Sequence, residues 1–320
     1  MTTLPKDSTA GLAYLAECLQ ALQEGWAQSG LSSELAWSLT AATPPELSVV
    51  PHQTLGAVPT LGQVLDMLTI TRGVVRDLTI RMGSWTPAVG QALDAMQREV
   101  AIRWREDRAQ RLRGLYFIID PEVTGGRDPL EVTAAALAGG VRVLQLRDKV
   151  RDKGMILPLA KALQQLCQRH GALLIINDHA DVARLAEADG LHVGQTDLPV
   201  EEARRVLRPW QLLGRSNPTP DHAADSATQG ADHVAIGPIY PTGTKSTGRT
   251  PVGCAPVQRI KETVPAQVVA IGGINEDNVA EVVRAGADAI CVSSAIGLAP
   301  DPEEAARRIS DRIAAAGGQT

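Results

Sequence analysis

A chain of 320 residues is long for one domain and comfortable for two, since domains commonly hold about 100–200 residues. Hydrophobic residues make up 44% of it, ample for large cores, which excludes wholesale disorder. Lys and Arg number 31 against 36 Asp and Glu, a net charge of −5, which argues against nucleic acid or an anionic membrane as partner.

The first part of the chain is helical in pattern. Leu12, Leu15, Leu19, Leu22 and Trp26, and later Val89, Leu93, Met96, Val100 and Trp104, recur in steps of three and four, which places each set on one helix face. Thr69–Arg81 carries Arg72, Arg76 and Arg81 among β-branched residues and reads as a further amphipathic helix. Pro44-Pro45, Pro51, Pro59 and Gly83 through Pro87 divide the segment into four or five helices. Arg98, Arg103, Arg105, Arg108, Arg111 and Arg113 crowd the last of them. The expected reading is a solvated face and linker; a grip on an acidic partner is the alternative.

Near residue 114 the pattern changes to short apolar runs that end in glycine or polar residues: Leu115–Asp120, Val141–Arg147, Leu173–Asp178, Gly190–Gly194, Leu212–Ser216, His233–Ile239, Val268–Gly273 and Ala289–Ser294. Runs apolar on both faces suit parallel strands covered by helices, and segments such as Leu130–Ala138 and Leu157–Cys167 supply helical spacing between them. Eight strands with intervening helices predict an α/β fold, a (β/α)8 TIM barrel behind an all-α domain, with residues 1–110 helical and 111–320 the barrel. A doubly wound sheet is the runner-up, but no GxGxxG follows the first strand. No apolar stretch approaches the roughly 20 residues that cross a bilayer, and the start lacks a basic stretch followed by an apolar run, so a cytoplasmic location is expected. Cys18, Cys167, Cys254 and Cys291 stand far apart, which speaks against a disulfide framework or structural zinc.

In such a barrel function sits at the carboxyl ends of the strands, and those ends are polar. The second holds Arg147 and Lys149 at alternate positions. As a lone triplet with Asp148 they would be a surface charge cluster, but together they suit a phosphate-bearing ligand. Asp178 and Asp197, from the next two ends, read alone as a helix cap and a turn residue; beside a diphosphate they are the oxygen ligands that Mg²⁺ prefers. Gly272-Gly273 and Ser293-Ser294 follow the seventh and eighth strands, where many barrels bind phosphate through backbone N–H groups. The loop Pro241–Thr250 reads as a lid. His192 is assigned a structural role, and Cys291 is expected to be an inert buried thiol. No GxSxG or HExxH occurs, which leaves hydrolase and zinc-protease chemistry without support.

In order and spacing, the strings QLRDK (145–149), ND (177–178), GLHVGQTD (190–197), GRS (214–216), GPIYPTGTKS (237–246), IGGI (271–274) and SSAI (293–296) resemble the thiamine-phosphate synthases over roughly residues 114–317. That resemblance implies a transferase that joins hydroxymethylpyrimidine diphosphate to thiazole phosphate, with Mg²⁺, to give thiamine phosphate and pyrophosphate. It implies that Gln145, Arg147 and Lys149, helped by Asn177, hold the pyrimidine diphosphate, and that Asp178 and Asp197 bind Mg²⁺. Ser216 and Lys245 should contact the pyrimidine or its diphosphate. Thr242, Thr244, Gly273, Ser293 and Ser294 should hold the thiazole phosphate. Arg147, Lys149, Ser216 and Lys245 are the implied catalytic set. A thiazole tautomerase is the rival enzyme, and it would need neither the diphosphate grip nor both carboxylates. The helical part shows no Gly-rich phosphate loop and is expected to be a dimerisation or regulatory module, which leaves a homo-oligomer open.

Overall fold

The computed structural model describes residues 8–44, 47, 59–82, 86–243 and 250–319. It divides into two compact units, Met1–Trp104 and Arg105–Thr320.

The first unit is built from helices α1 (Ser8–Gln28), α2 (Ser33–Ala42), α3 (Leu61–Met82) and the greater part of α4 (Thr86–Gln110). The apolar stripes make its core: Leu15, Leu19, Leu22 and Trp26 of α1 and Val89, Leu93, Met96 and Val100 of α4 are buried. Trp26 keeps its polar handle satisfied by donating Nε1–H to the Ser32 carbonyl at 2.8 Å. The segment 69–81 falls inside α3.

The second unit is a closed barrel of eight parallel strands in sequential order, with β1 paired to β8. The strands are β1 (Gly114–Ile119), β2 (Val143–Leu146), β3 (Leu173–Asn177), β4 (Gly190–Val193), β5 (Leu212–Asn217), β6 (His233–Ile236), β7 (Gln267–Ile271) and β8 (Ala289–Val292). Helices α5 (Pro129–Ala138), α6 (Lys153–His170), α7 (Ala180–Leu185), α8 (Val200–Val206), α9 (Pro220–Thr228), α10 (Ala255–Thr263), α11 (Val279–Arg284), α12 (Ser294–Gly297) and α13 (Pro302–Ala315) fill the connections. Each strand is buried on both faces, as its continuous apolar run requires. Leu115, Phe117 and Ile119 of β1 join the core beneath the helices, whereas Tyr116 and Ile118 join a separate interior cluster with Val143, Ile175, Leu212 and Cys291. Strand parity therefore decides which side chains can reach the barrel mouth. None of the described helices is long and apolar enough to cross a membrane, and all four cysteines are free.

A repeated device ties the amino end of the barrel together. Asp189, Asp232 and Asp288 each precede an even-numbered strand. Each accepts from the amide of the neighbouring odd strand at the level where the ladder has not yet begun: Leu174 N at 2.9 Å, Leu213 N at 2.8 Å and Val268 N at 2.9 Å. Basic side chains pair with the same carboxylates. Lys261 reaches Asp288 at 2.8 Å, Arg204 reaches Asp232 at 2.7 Å, and the last turns of α4 bring Arg105 to Asp232 at 2.9 Å and Arg108 to Asp189 at 3.5 Å. Arg111 donates to the Gly171 carbonyl at 2.9 Å, and Leu112 is fully buried within the interior cluster. The expected solvated basic face is thus corrected in part: Arg98 and Arg103 are exposed, while Arg105 and Arg108 are ion-paired to the barrel.

Candidate active site

A cavity of about 750 Å³ opens at the carboxyl ends of the strands. Arg147, Lys149, Asn177, Asp178, Asp197 and Ser216 line it from the β2–β5 side, and Thr242, Gly273, Ser293 and Ser294 from the β6–β8 side. Thr244 and Lys245 lie outside the described residues, as does most of the 241–250 loop. Gln145 is brought close but not into the lining: it is buried, and its Nε2 donates to the Tyr116 hydroxyl at 2.7 Å.

The β2–β4 side is a cluster of alternating charges. Arg147 donates to the Asp120 carboxylate. Lys149 Nζ lies 2.6 Å from Asp178 Oδ2. Between them Asp148 turns inward, accepting from the amides of Val150 at 3.2 Å and Arg151 at 3.0 Å and from the Arg151 side chain. Burial alone would raise the Asp148 carboxyl; those hydrogen bonds outweigh it and hold the group below its ordinary value. The loop that carries Lys149 is therefore pinned by the residue between the two cations. Asp178 adopts φ 61°, a left-handed conformation that a residue with a Cβ takes at a cost of order ~1 kcal/mol and that Asp tolerates better than most. Asp197 is fixed from its own turn, Oδ2 accepting from Gly194 N at 2.8 Å. Its carboxyl is raised above the ordinary value, first by burial and then by a hydrogen bond to Asp178.

The opposite side is built from backbone. Gly272 and Gly273 have φ of 100° and 67°, and a Cβ at Gly273 would meet the Pro241 carbonyl at 2.5 Å. Both conformation and space thus demand glycine there. The short helix α12 starts at Ser294, and the amides of Ile296 and Gly297 both donate to the Ser293 carbonyl, at 3.1 and 2.8 Å. The Ser293 hydroxyl is used within the fold, donating to the Ile118 carbonyl at 3.1 Å and tying β8 to β1.

Residues 115–296 match the family described as thiamine monophosphate synthase. The chain belongs to that family. Among similar proteins, the thiamine-phosphate synthase of Moorella thermoacetica is 42% identical over 205 residues, 64% of this chain and 98% of that protein. The thiamine-phosphate synthase of Shouchella clausii is 43% identical over 195 residues, 61% and 93% respectively. A solved thiamine phosphate pyrophosphorylase from Pyrococcus furiosus superposes with a TM-score of 0.61 at 32% identity, covering 65% of this chain and 99% of that one. As a member of the thiamine monophosphate synthase family the chain is an enzyme, a transferase of thiamine biosynthesis. The family match begins at residue 115, so helices α1–α4 lie outside it.

Asp120 and His233 lie outside the residues expected from sequence, and His192 is expected there only in a structural role. Asp120, at the end of β1, is buried, lines the cavity and accepts from Arg147. Its position one residue past an apolar strand was the available signal. His192 lines the cavity with Nε2 2.9 Å from Ser216 Oγ. His233, fully buried, stacks against it. Both occupy inward strand positions, yet they are distant in sequence and their meeting depends on barrel closure.

Proposed function

We propose that the chain joins hydroxymethylpyrimidine diphosphate to thiazole phosphate, releasing pyrophosphate and forming thiamine phosphate in the cytoplasm. One observation carries this reading: a single cavity is lined by Arg147 and Lys149 on one side and by Gly272, Gly273 and Ser294 on the other, which we read as two anion-binding faces. Two phosphate-bearing substrates need such a pair facing a shared space. The tautomerase alternative would leave the first face without a ligand.

The donor set also fits Mg²⁺. Asp178 and Asp197 are two carboxylates close enough to hydrogen-bond, and the Asp197 carboxyl, raised first by burial and then by its contacts with Asp178, sits where a divalent cation would favour the ionised form of both. Among the described residues no group of three or more His, Cys, Asp or Glu side chains is assembled for a metal, which suits an ion that keeps waters and takes phosphate oxygens. Bound there, Mg²⁺ would supply positive charge to the departing diphosphate.

The remaining work falls to the side chains. Arg147 can grip a diphosphate oxygen pair while Asp120 holds its guanidinium in place. Lys149, which in this structure neutralises Asp178, turns to the diphosphate once that carboxylate has another partner. Asn177 and Ser216 offer polar contacts to the pyrimidine, and Thr242, Gly273 and Ser294 hold the thiazole phosphate. With charge on the leaving group stabilised, the C–O bond to the pyrimidine methylene breaks heterolytically. The aminopyrimidine delocalises the resulting cation, and the thiazole nitrogen lone pair closes the C–N bond. No base is required for that bond. The test is pyrophosphate release by the full chain with both substrates and Mg²⁺, compared with either substrate alone. Release that needs both supports the reading; none, from folded protein, overturns it.

A further inference from the structure

His192 on β4, Gly214 on β5 and His233 on β6 are register partners across three successive strands. A Cβ on Gly214 would lie 1.8 Å from His233 Nε2, so only glycine lets the His233 ring lie across β5. There it meets His192, with ring centroids 5.4 Å apart and His233 Nε2 3.2 Å from His192 Nδ1. His192 Nε2 in turn lies 2.9 Å from the hydroxyl oxygen of Ser216, which lines the cavity. A chain of three polar groups therefore runs from the sealed interior of the barrel to the substrate space.

Each contact in that chain carries one hydrogen, so its direction depends on where His233 holds its proton. His233 is fully buried, and its Nδ1 has no hydrogen-bond partner among the described residues. Burial, then His192 and Arg204, keep its pKa well below the ordinary value, so the ring is neutral. A proton on Nδ1 would bury an orphaned N–H. A proton on Nε2 orphans only a lone pair, the milder outcome, and Nε2–H is the intrinsically favoured tautomer of the side chain.

We propose that His233 is a positioning residue: its Nε2–H donates to His192 Nδ1, this fixes His192 as the Nε2–H tautomer donating to Ser216 Oγ, and the Ser216 hydroxyl is left to donate into the cavity, to an acceptor atom of the pyrimidine substrate. The reverse tautomers would make Ser216 a donor to His192 and present only an oxygen lone pair to the ligand. This inference rests on the reaction proposed above.

Side-chain ¹⁵N NMR of the unaltered full-length chain, with His192 assigned by comparison with His192→Asn, decides the tautomer without substrate. His192 is expected to be protonated at Nε2 and bare at Nδ1; the opposite pattern overturns the proposal. In kinetics, His233→Leu should lower kcat/KM for the pyrimidine diphosphate about tenfold, the worth of one hydrogen bond, with KM for the thiazole phosphate unchanged. His233→Gln, which can place an amide N–H where Nε2 lies, should recover most of the loss. In a Ser216→Ala background His233→Leu should cost nothing more. A full further loss there, or a His233→Gln variant as poor as His233→Leu, overturns the proposal. Absence of pyrophosphate release from the unaltered chain would instead sink the reaction, while the NMR result still decides the tautomer.

Discussion

Asp232→Ala removes the acceptor at the centre of the amino-end device. The carboxylate holds the Leu213 amide at 2.8 Å, Arg204 at 2.7 Å and Arg105 at 2.9 Å, and its side chain is 12% exposed against 20% and 21% for the two arginines. Removing one partner of a buried ion pair costs about 3–5 kcal/mol, because the other charge is left without compensation. Here partial exposure screens the arginines, and Arg204 keeps the Gln211 and Gly230 carbonyls at 2.6 and 3.0 Å. The Leu213 N–H, by contrast, loses its acceptor, which adds about 1–3 kcal/mol. The net expectation is a loss of about 2–4 kcal/mol, a drop of roughly 5–15 °C in the barrel's melting temperature for a unit of this size. Thermal unfolding followed by circular dichroism measures it. Pyrophosphate release at 25 °C should stay near wild type, since Asp232 lies away from the cavity lining. Arg105→Ala should show the same sign at a fraction of the size. An Asp232→Ala protein that melts with the wild type would refute the claim that these carboxylates hold the amino end closed.

Asp178→Ala should cut turnover more than ~100-fold and weaken divalent-ion binding; titration calorimetry with Mg²⁺ reads the binding directly, and an unchanged isotherm would remove Asp178 from the proposed metal site. Gly273→Ala places a Cβ 2.5 Å from the Pro241 carbonyl at φ 67°, so it should cost about 1–3 kcal/mol and raise KM for the thiazole phosphate, leaving that for the pyrimidine diphosphate alone. His233 makes stability depend on pH. Its native pKa lies well below 6.5, so below pH 6.5 the unfolded chain takes up a proton that the native barrel does not. Stability from this group therefore falls with pH at up to ~1.4 kcal/mol per unit, between about 6.5 and the native pKa, and is flat above 6.5. Urea unfolding at pH 7.5 and 5.5 should show a smaller difference for His233→Gln than for wild type; equal differences would show that His233 does not titrate on unfolding.

What the sequence by itself determined is the barrel and most of its mouth. Short continuous apolar runs alternating with helical spacing favour strands buried on both faces, and a residue at the polar end of such a run in a barrel has few places to go but the mouth, so Arg147, Lys149, Asp178 and Asp197 were legible one strand at a time. The helical stripes of α1 and α4 were legible for the same reason, a local period that needs no partner to be read. Only the tertiary structure decided the rest. Asp120 with Arg147, Arg105 with Asp232, and His192 with His233 across Gly214 each join residues far apart in the chain, and closure of the barrel is what brings them within hydrogen-bond distance. Depth alone separated Gln145, held below the lining by Tyr116, from Arg147 two residues on and on the same face, because depth within a closed barrel depends on the stagger of all eight strands and has no period in the sequence.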